Sequence, residues 1–145
     1  MYELIYVSTL AAGVPVSVVA KIAQESRRFN VANGITGLLV FDGMRFCQQL
    51  EGSLKQVLSL FDRIREDPRH TRLEVVHHGA LAQRRFNHFS LAYTTADDET
   101  ALAELETLVD GAAVAAFVKL LDTLDLPPGS TVADLYSAQR CERLG

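Results

Sequence analysis

Tryptophan is missing from this sequence, and its only two cysteines, Cys47 and Cys141, stand far apart with no CxxC spacing. That excludes a disulfide-stapled miniature fold and leaves no zinc signature. A reducing cytosol is the natural setting, so a cytoplasmic location is expected. A basic surplus is missing too: fourteen Lys and Arg against eighteen Asp and Glu give a formal charge of −4. Proteins that live on phosphate backbones ordinarily carry the opposite balance, so direct nucleic-acid binding is not expected. Long apolar runs are also lacking. Leu4 to Val7 is too short for a signal peptide and follows no basic stretch. Ala112 to Leu121 covers about half a bilayer and contains Lys119. Neither a targeting segment nor a membrane partner is expected. There is no Walker loop and no GxGxxG motif.

What is present is ordinary globular composition. The 145 residues are 48% apolar and 22% charged, enough for one domain with a substantial core and too apolar for a disordered chain. Tyr2 to Ser8 is rich in Ile, Val and Tyr and reads as a strand. Pro15 suits the first turn of a helix running to Asn30, with Val18, Val19, Ile22, Ala23 and Ser26 at helical spacing and Arg27 and Arg28 near its end. After the Asn33-Gly34 turn, Ile35 to Phe41 and Met44 to Leu50 read as a hairpin about Asp42-Gly43. Ser53 and Gln56 form a capping-box pattern for a helix carrying Leu54, Val57, Leu58, Phe61 and Ile64, which Asp67-Pro68 ends. Leu73 to His78 and Phe86 to Tyr93 read as further strands. Helices follow at Glu99–Val109, Ala112–Leu124 and Ala133–Arg143, the last with Ser130 as a candidate cap.

This order predicts an α+β fold: a ferredoxin-like βαββαβ unit with an extra fifth strand and C-terminal helices covering the sheet. Leu4 and Tyr6 face one way on the first strand, Ile5 and Val7 the other. Ile35, Leu39 and Phe41 likewise oppose Leu38 and Val40. Both faces are apolar, so both need covers. The first two helices can cover one; the C-terminal helices or a partner subunit must cover the other.

Alternation places Met44, Phe46, Gln48 and Leu50 on one face. A glutamine in that company must find partners, because an unpaired buried amide costs about 1–3 kcal/mol. Spacing alone leaves a satisfied core amide and a functional one both open. Tyr6 reads as a packed aromatic whose hydroxyl needs a partner, and Asn30 as a helix-ending residue. Arg63, Asp67, Arg69 and His70 gather at and beyond a helix C-terminus, where cations are favoured anyway. His77 and His78 point to opposite faces and cannot chelate one metal together. Cys47 lies opposite Gln48, and no nucleophile–base arrangement is legible.

Taken together, these pieces resemble the BLUF domain family, blue-light sensors using FAD. The matching stretches are Leu4-Ile5-Tyr6-Val7-Ser8; Asn30 with Asn33-Gly34-Ile35-Thr36-Gly37-Leu38-Leu39; Phe46-Cys47-Gln48-Gln49-Leu50-Glu51-Gly52; Asp67-Pro68-Arg69-His70; and Arg85-Phe86 with Phe89-Ser90-Leu91. They span residues 2 to 94. The resemblance implies FAD between the first two helices, with FMN or riboflavin as alternatives. Its ring edge would reach Tyr6, Gln48 and Asn30, with Ile22, Ser26, Phe89 and Leu91 also in the cofactor site and Arg63, Asp67, Arg69 and His70 in the polar surround. It implies a tyrosine that gives an electron and a proton, and a glutamine that ends rotated or tautomerised, shifting absorption to the red. Phe89 and Leu91 stand where the family often has tryptophan and methionine, and Phe29 where a polar residue is common. A sensor core is expected over 1–94, with 95–145 as a helical extension of the same domain. Output would pass to a separate protein partner or through a homo-oligomer, without catalytic turnover. The alternatives are a flavin-free ferredoxin-like oligomeric interaction module and a small flavin-dependent redox enzyme.

Overall fold

The computed structural model describes residues 1–94 and 100–133. Its elements are β1 (Tyr2–Leu10), α1 (Val18–Ala32), β2 (Thr36–Phe41), β3 (Arg45–Gly52), α2 (Leu54–Arg65), β4 (His70–Ala80), β5 (Phe89–Tyr93), α3 (Ala101–Leu105) and α4 (Asp110–Leu121). The sheet runs β4-β1-β3-β2-β5. β1, β3, β2 and β4 pair antiparallel as a ferredoxin-like unit requires, and β5 adds to β2 in parallel.

Several boundaries depart from expectation. α1 starts at Val18 because Pro15 to Ser17 are spent in turns, closed by Val18 N–H on Pro15 O and Val19 N–H on Val16 O. It also outlasts Asn30. Asn33 is the C-cap, Gly34 takes the left-handed conformation at φ 65°, and Ile35 N–H returns to Asn30 O at 2.9 Å. This is a Schellman closure. Asn30 is therefore an interior helical residue, and Arg27 and Arg28 precede the last turn. The hairpin turn sits one residue later than Asp42-Gly43. Asp42 N–H bonds Arg45 O and the loop is Gly43-Met44, with Gly43 at φ 99° supplying the backbone that a side chain resists. Met44 is thus exposed in the turn instead of continuing the Phe46–Gln48 face. β4 is longer than 73–78. β5 begins only at Phe89, because Phe86 leaves the strand line to bridge Thr131. α3 and α4 fall within or near their expected ranges. The expected helix 133–143 lies outside the described residues, bar its first position, and the Ser130 hydroxyl donates to Pro127 O at 2.5 Å.

Two cores result. On one face Leu4, Tyr6, Leu39, Phe41, Phe46 and Leu50 pack under Val19 and Ala23 of α1 and Val57 and Leu60 of α2. On the other, Ile5, Val7, Leu38, Val40 and Cys47 meet Phe86 and the apolar sides of α3 and α4. Ser53 caps α2 by accepting Gln56 N–H at 3.3 Å, and Arg63 and Arg65 complement its C-terminal dipole. No helix among the described residues is long and apolar enough to cross a membrane.

Gly37 of β2 stands hard against β3: a Cβ there would lie 2.0 Å from the Gln49 carbonyl oxygen. Gly37→Ala should therefore cost at least about 2 kcal/mol, the class of strain and overpacking effects. Urea unfolding midpoints of the two proteins check this; equal midpoints would show that the strands part at no cost.

Candidate functional site

β1 and β3 pair so that Tyr6 stands directly opposite Gln48. Both side chains point to the α1–α2 face, and both residues are only 3% exposed. The Tyr6 hydroxyl donates to Gln48 Oε1. The paired amide answers the question the sequence left open about Gln48 in terms of a partner, and that partner is itself a chemically active group. Burial pushes the Tyr6 phenol well above its ordinary range, with the neighbouring Cys47 and Asp67 acting in the same direction. Cys47 is itself a buried thiol pushed well up, so at neutral pH it stays uncharged. Tyr6 is thus a neutral donor at any ordinary pH.

A narrow cleft opens beside this pair. Its walls are Tyr6, Leu39, Phe46 and Gln48 from the sheet, Ile22 and Ser26 from α1, Ile64 from α2, and Asp67, Arg69 and His70 beyond it. Seven of the expected site residues are brought together here: Tyr6, Ile22, Ser26, Gln48, Asp67, Arg69 and His70. Leu39, Phe46 and Ile64 complete it. Their apolar periodicity announced a buried face but not a cleft.

The other four lie apart from that cleft. Asn30 is one helical turn beyond Ser26 on the same side of α1. It is fully buried, and neither its Oδ1 nor its Nδ2 has a hydrogen-bond partner. It lines a neighbouring cavity with Phe89, which is 3% exposed in the helix-side core. Leu91 shares a row with Tyr6, Gln48 and Leu39 across the sheet, separated from Gln48 by the whole of β2. The Arg63 guanidinium stacks over Phe29 at 4.4 Å, bridging α2 and α1.

The polar end of the cleft is tightly tied. His70 Nε2 meets Ile64 O at 2.5 Å and its Nδ1 meets the Ser8 hydroxyl at 2.8 Å, which fixes the ring edge-on to Tyr6, 6.1 Å between centroids. A carbonyl only accepts, so Nε2 carries the proton. Arg69 binds Asp67 at 2.7 Å and Glu25 of α1 at 3.2 Å. Hydrogen bonding from Arg69 holds the Asp67 carboxyl below its usual range, against the upward push of burial.

Do these residues suit a flavin? The cleft's roughly 60 Å³ is well short of the about 300–1,000 Å³ common for small-molecule sites. A three-ring ligand must therefore spread the side chains of α1 and α2. The donor set does suit it. An amide already oriented by a phenol sits at the base, and an unpartnered buried asparagine lies one turn along the same helix. Imide and carbonyl groups at a flavin's ring edge are what Asn30 lacks.

A family model described as sensors of blue-light using FAD matches residues 1–92. Among curated relatives, the blue light- and temperature-regulated antirepressor of Escherichia coli is 37% identical over 67 residues, 46% of this chain and 17% of that protein. The photoactivated adenylate cyclase subunit beta of Euglena gracilis is 41% identical over 63 residues, 43% of this chain and 7% of that one. The chain thus spans under a fifth of either relative. Among solved structures, the dark state of the BLUF protein BlrB superposes with TM-score 0.70 at 27% identity, covering 83% of this chain and 93% of that one. Klebsiella pneumoniae BlrP1 with FMN and cyclic diGMP gives 0.65 at 27%, covering 83% and 34%. The ground state of BlsA gives 0.73 at 24%, covering 90% and 93%, a likeness of fold.

The ion pair at the cleft makes a stability prediction. Asp67 has a lowered folded-state pKa, so its contribution is present above the ordinary Asp value of about 3.9 and is lost as pH falls through the folded value. Melting temperature should decline on acidification below about pH 4, and the decline should be shallower in Asp67→Asn. Identical acid limbs in the two proteins would show that Arg69 gives the carboxylate no net preference.

Proposed function

Because the chain belongs to the BLUF family of blue-light sensors, we propose that it holds FAD between α1 and α2 and registers blue light as a rearranged Tyr6–Gln48 hydrogen bond. The observation that carries this reading is that bond itself, buried at the base of a cleft that α1 and α2 wall. Flavin, when bound, supplies the absorption of blue light and an excited-state electron acceptor. Everything else is this chain's own work.

Tyr6 is the electron and proton donor. Its high pKa keeps the phenol proton in place until an electron leaves, after which the proton has Gln48 Oε1 directly in line. Gln48 is the memory. A side-chain amide has an acceptor end and a donor end, so turning it over reverses the hydrogen-bond pattern without moving a charge. In a dry site that reversal is worth more than in water. Asn30 would hold the ring edge, Ile22 and Ser26 would line one side, and His70 would keep Tyr6 in place. Arg69 is already matched by two carboxylates, whereas Arg63 has no carboxylate within ion-pair reach among the described residues. Arg63 would thus be free to meet a diphosphate if FAD is the flavin bound. Phe89 and Leu91 carry no N–H or sulfur, so neither can exchange hydrogen bonds with Gln48.

Residues 1–94 act as the sensor and 95–145 as a helical extension of the same domain. The edge-on contact of Phe86 with Phe117 of α4, at 6.3 Å, supports treating them as one unit. The output goes to a separate cytoplasmic protein or through association of copies, and no turnover is assigned to the chain. Coupling of either kind requires that the lit state bind its partner with a different affinity.

Protein purified in darkness should be yellow, release FAD on denaturation, and show a visible band that moves reversibly to the red under blue light. Tyr6→Phe and Gln48→Leu should keep the flavin and lose that shift, while Asn30→Ala should bind flavin more weakly. Colourless protein that takes up no added FAD would instead favour an interaction module, and steady bleaching by NAD(P)H would favour a redox enzyme. A normal red shift in Tyr6→Phe would remove the donor role.

A further inference from the structure

Behind Gln48, on the opposite face of β3, lies a polar cluster that the light-sensing chemistry does not use. Gln49 is fully buried there. Its Nε2 donates to Glu3 Oε2 at 3.0 Å and to Glu51 Oε1 at 2.9 Å, and its own Oε1 has no partner. Both amide hydrogens are therefore spent on carboxylates. Turning this amide over would set its oxygen against theirs, so it has one favourable orientation.

Each carboxylate leads outward. Glu51 accepts four hydrogen bonds: from Gln49, from the Thr36 hydroxyl at 2.6 Å, and from the backbone N–H groups of Arg85 and Phe86 at 2.9 and 3.1 Å. It thereby holds the segment leading into β5, whose Phe86 meets Phe117 edge-on and bridges Thr131. Glu3 accepts both Nε (2.9 Å) and an Nη (3.2 Å) of Arg85 and lies 3.3 Å from His77 Nε2. The other His77 nitrogen is 3.7 Å from Asp110, the first residue of α4, whose backbone is left-handed at φ 50°. Burial would raise the Glu3 carboxyl, but hydrogen bonds from Arg85 and Gln49 and the charges of Arg85 and His77 bring it below its ordinary range.

We propose that Gln49 is the positioning residue through which a change at Gln48 reaches the helical cover: pinned to Glu3 and Glu51 in darkness and partly released in light. This rests on the blue-light reading above. The reason is mechanical. Gln48 and Gln49 share a peptide bond and point to opposite faces. In darkness Gln48 is bonded to Tyr6 of β1, and Gln49 is bonded to Glu3 of the same strand. Once the Gln48 amide turns, it presents N–H groups to the Tyr6 hydroxyl in place of its oxygen. The dark strand spacing is then no longer favoured at that pair, and the strain falls on the next link. Gln49 cannot relieve it by rotating, so its carboxylate bonds loosen. Glu51 holds the Arg85 and Phe86 amides, and Glu3 holds the Arg85 guanidinium and faces His77, the β4 neighbour of Asp110. The group that turns is the Gln48 amide, and Gln49, fixed in one orientation, joins it to identified contacts on the far face of the sheet.

Hydrogen exchange read by mass spectrometry tests this on the full flavin-loaded chain, in darkness and under continuous blue light, with spectra taken on the same samples. In the wild type, light should speed exchange in the peptides containing Arg85 and Phe86 and in the first turn of α4. Gln49→Leu should keep the red shift and lose at least fivefold of that light–dark difference. An undiminished difference in Gln49→Leu overturns the proposal. So does a wild type that shifts to the red with no exchange change at Arg85 and Phe86, an arm that needs no variant to fold. A wild type with flavin but no red shift sinks the photosensor reading itself, and the coupling role with it.

Discussion

A phenol and an amide, each all but enclosed, share one hydrogen bond at the base of a narrow cleft, and much of the molecule is arranged to keep it so. Tyr6 and Gln48 meet because β1 and β3 pair in a register that sets them directly opposite each other. A slip of one residue would send every side chain of β3 to the other face, exchanging Gln48 for Gln49 or Cys47. The register is therefore a functional quantity as well as a structural one. On its other side β3 is fixed against β2 by the Gly43-Met44 turn at one end and by the Gly37 approach to Gln49 near the other. Losing the Tyr6 partner would leave a buried amide oxygen unmatched at a cost of about 1–3 kcal/mol. That cost is what gives the bond a definite dark orientation.

A dry bond needs a sheet with no wet face, and that explains the layering. Helices α1 and α2 cover the side that carries Tyr6 and Gln48, while α3, α4 and Phe86 cover the other. The central strands are apolar in both directions for this reason. α3 and α4 exclude water from the back of the β1–β3 pair.

Much of this was legible in the chain. The alternating runs Leu4–Val7 and Leu38–Phe41 gave both apolar faces, and Ser53 marked the start of α2 by the chemistry of its cap. The elements that slipped did so for local reasons. Pro15 could begin a helix, but the turn bonds at Val18 and Val19 consume its first positions. Asn30 could end one, but Gly34 four residues on provides a better left-handed closure and carries the helix past it. Phe86 has strand-like company, but the second core claims its ring. The site divides the same way. Tyr6 and Gln48 were visible as polar groups in apolar settings. The Gln49–Glu3–Glu51 cluster was hidden, because its members come from β1 and β3 and two of its donors, on the segment before β5, are backbone amides, which leave no trace in residue type.

Buried polar groups in this fold sort into two kinds, and the contrast is informative. Glu51 is completely enclosed and takes four donors, so the protein by itself accounts for it. Asn30 is equally enclosed and has no partner at either end of its amide. Folding alone gives no reason to retain such a group, since an apolar residue of similar size would be cheaper by the desolvation of an amide. Its placement one turn beyond Ser26, on the helix side that walls the cleft, suits the proposed flavin, a ligand with donors and acceptors along one edge. The satisfied carboxylate belongs to the frame, and the unsatisfied amide is the one that the proposed cofactor would complete. Gln48 sits between these kinds, with its oxygen engaged by Tyr6 and its nitrogen free to choose, which is the condition a hydrogen-bond switch has to meet.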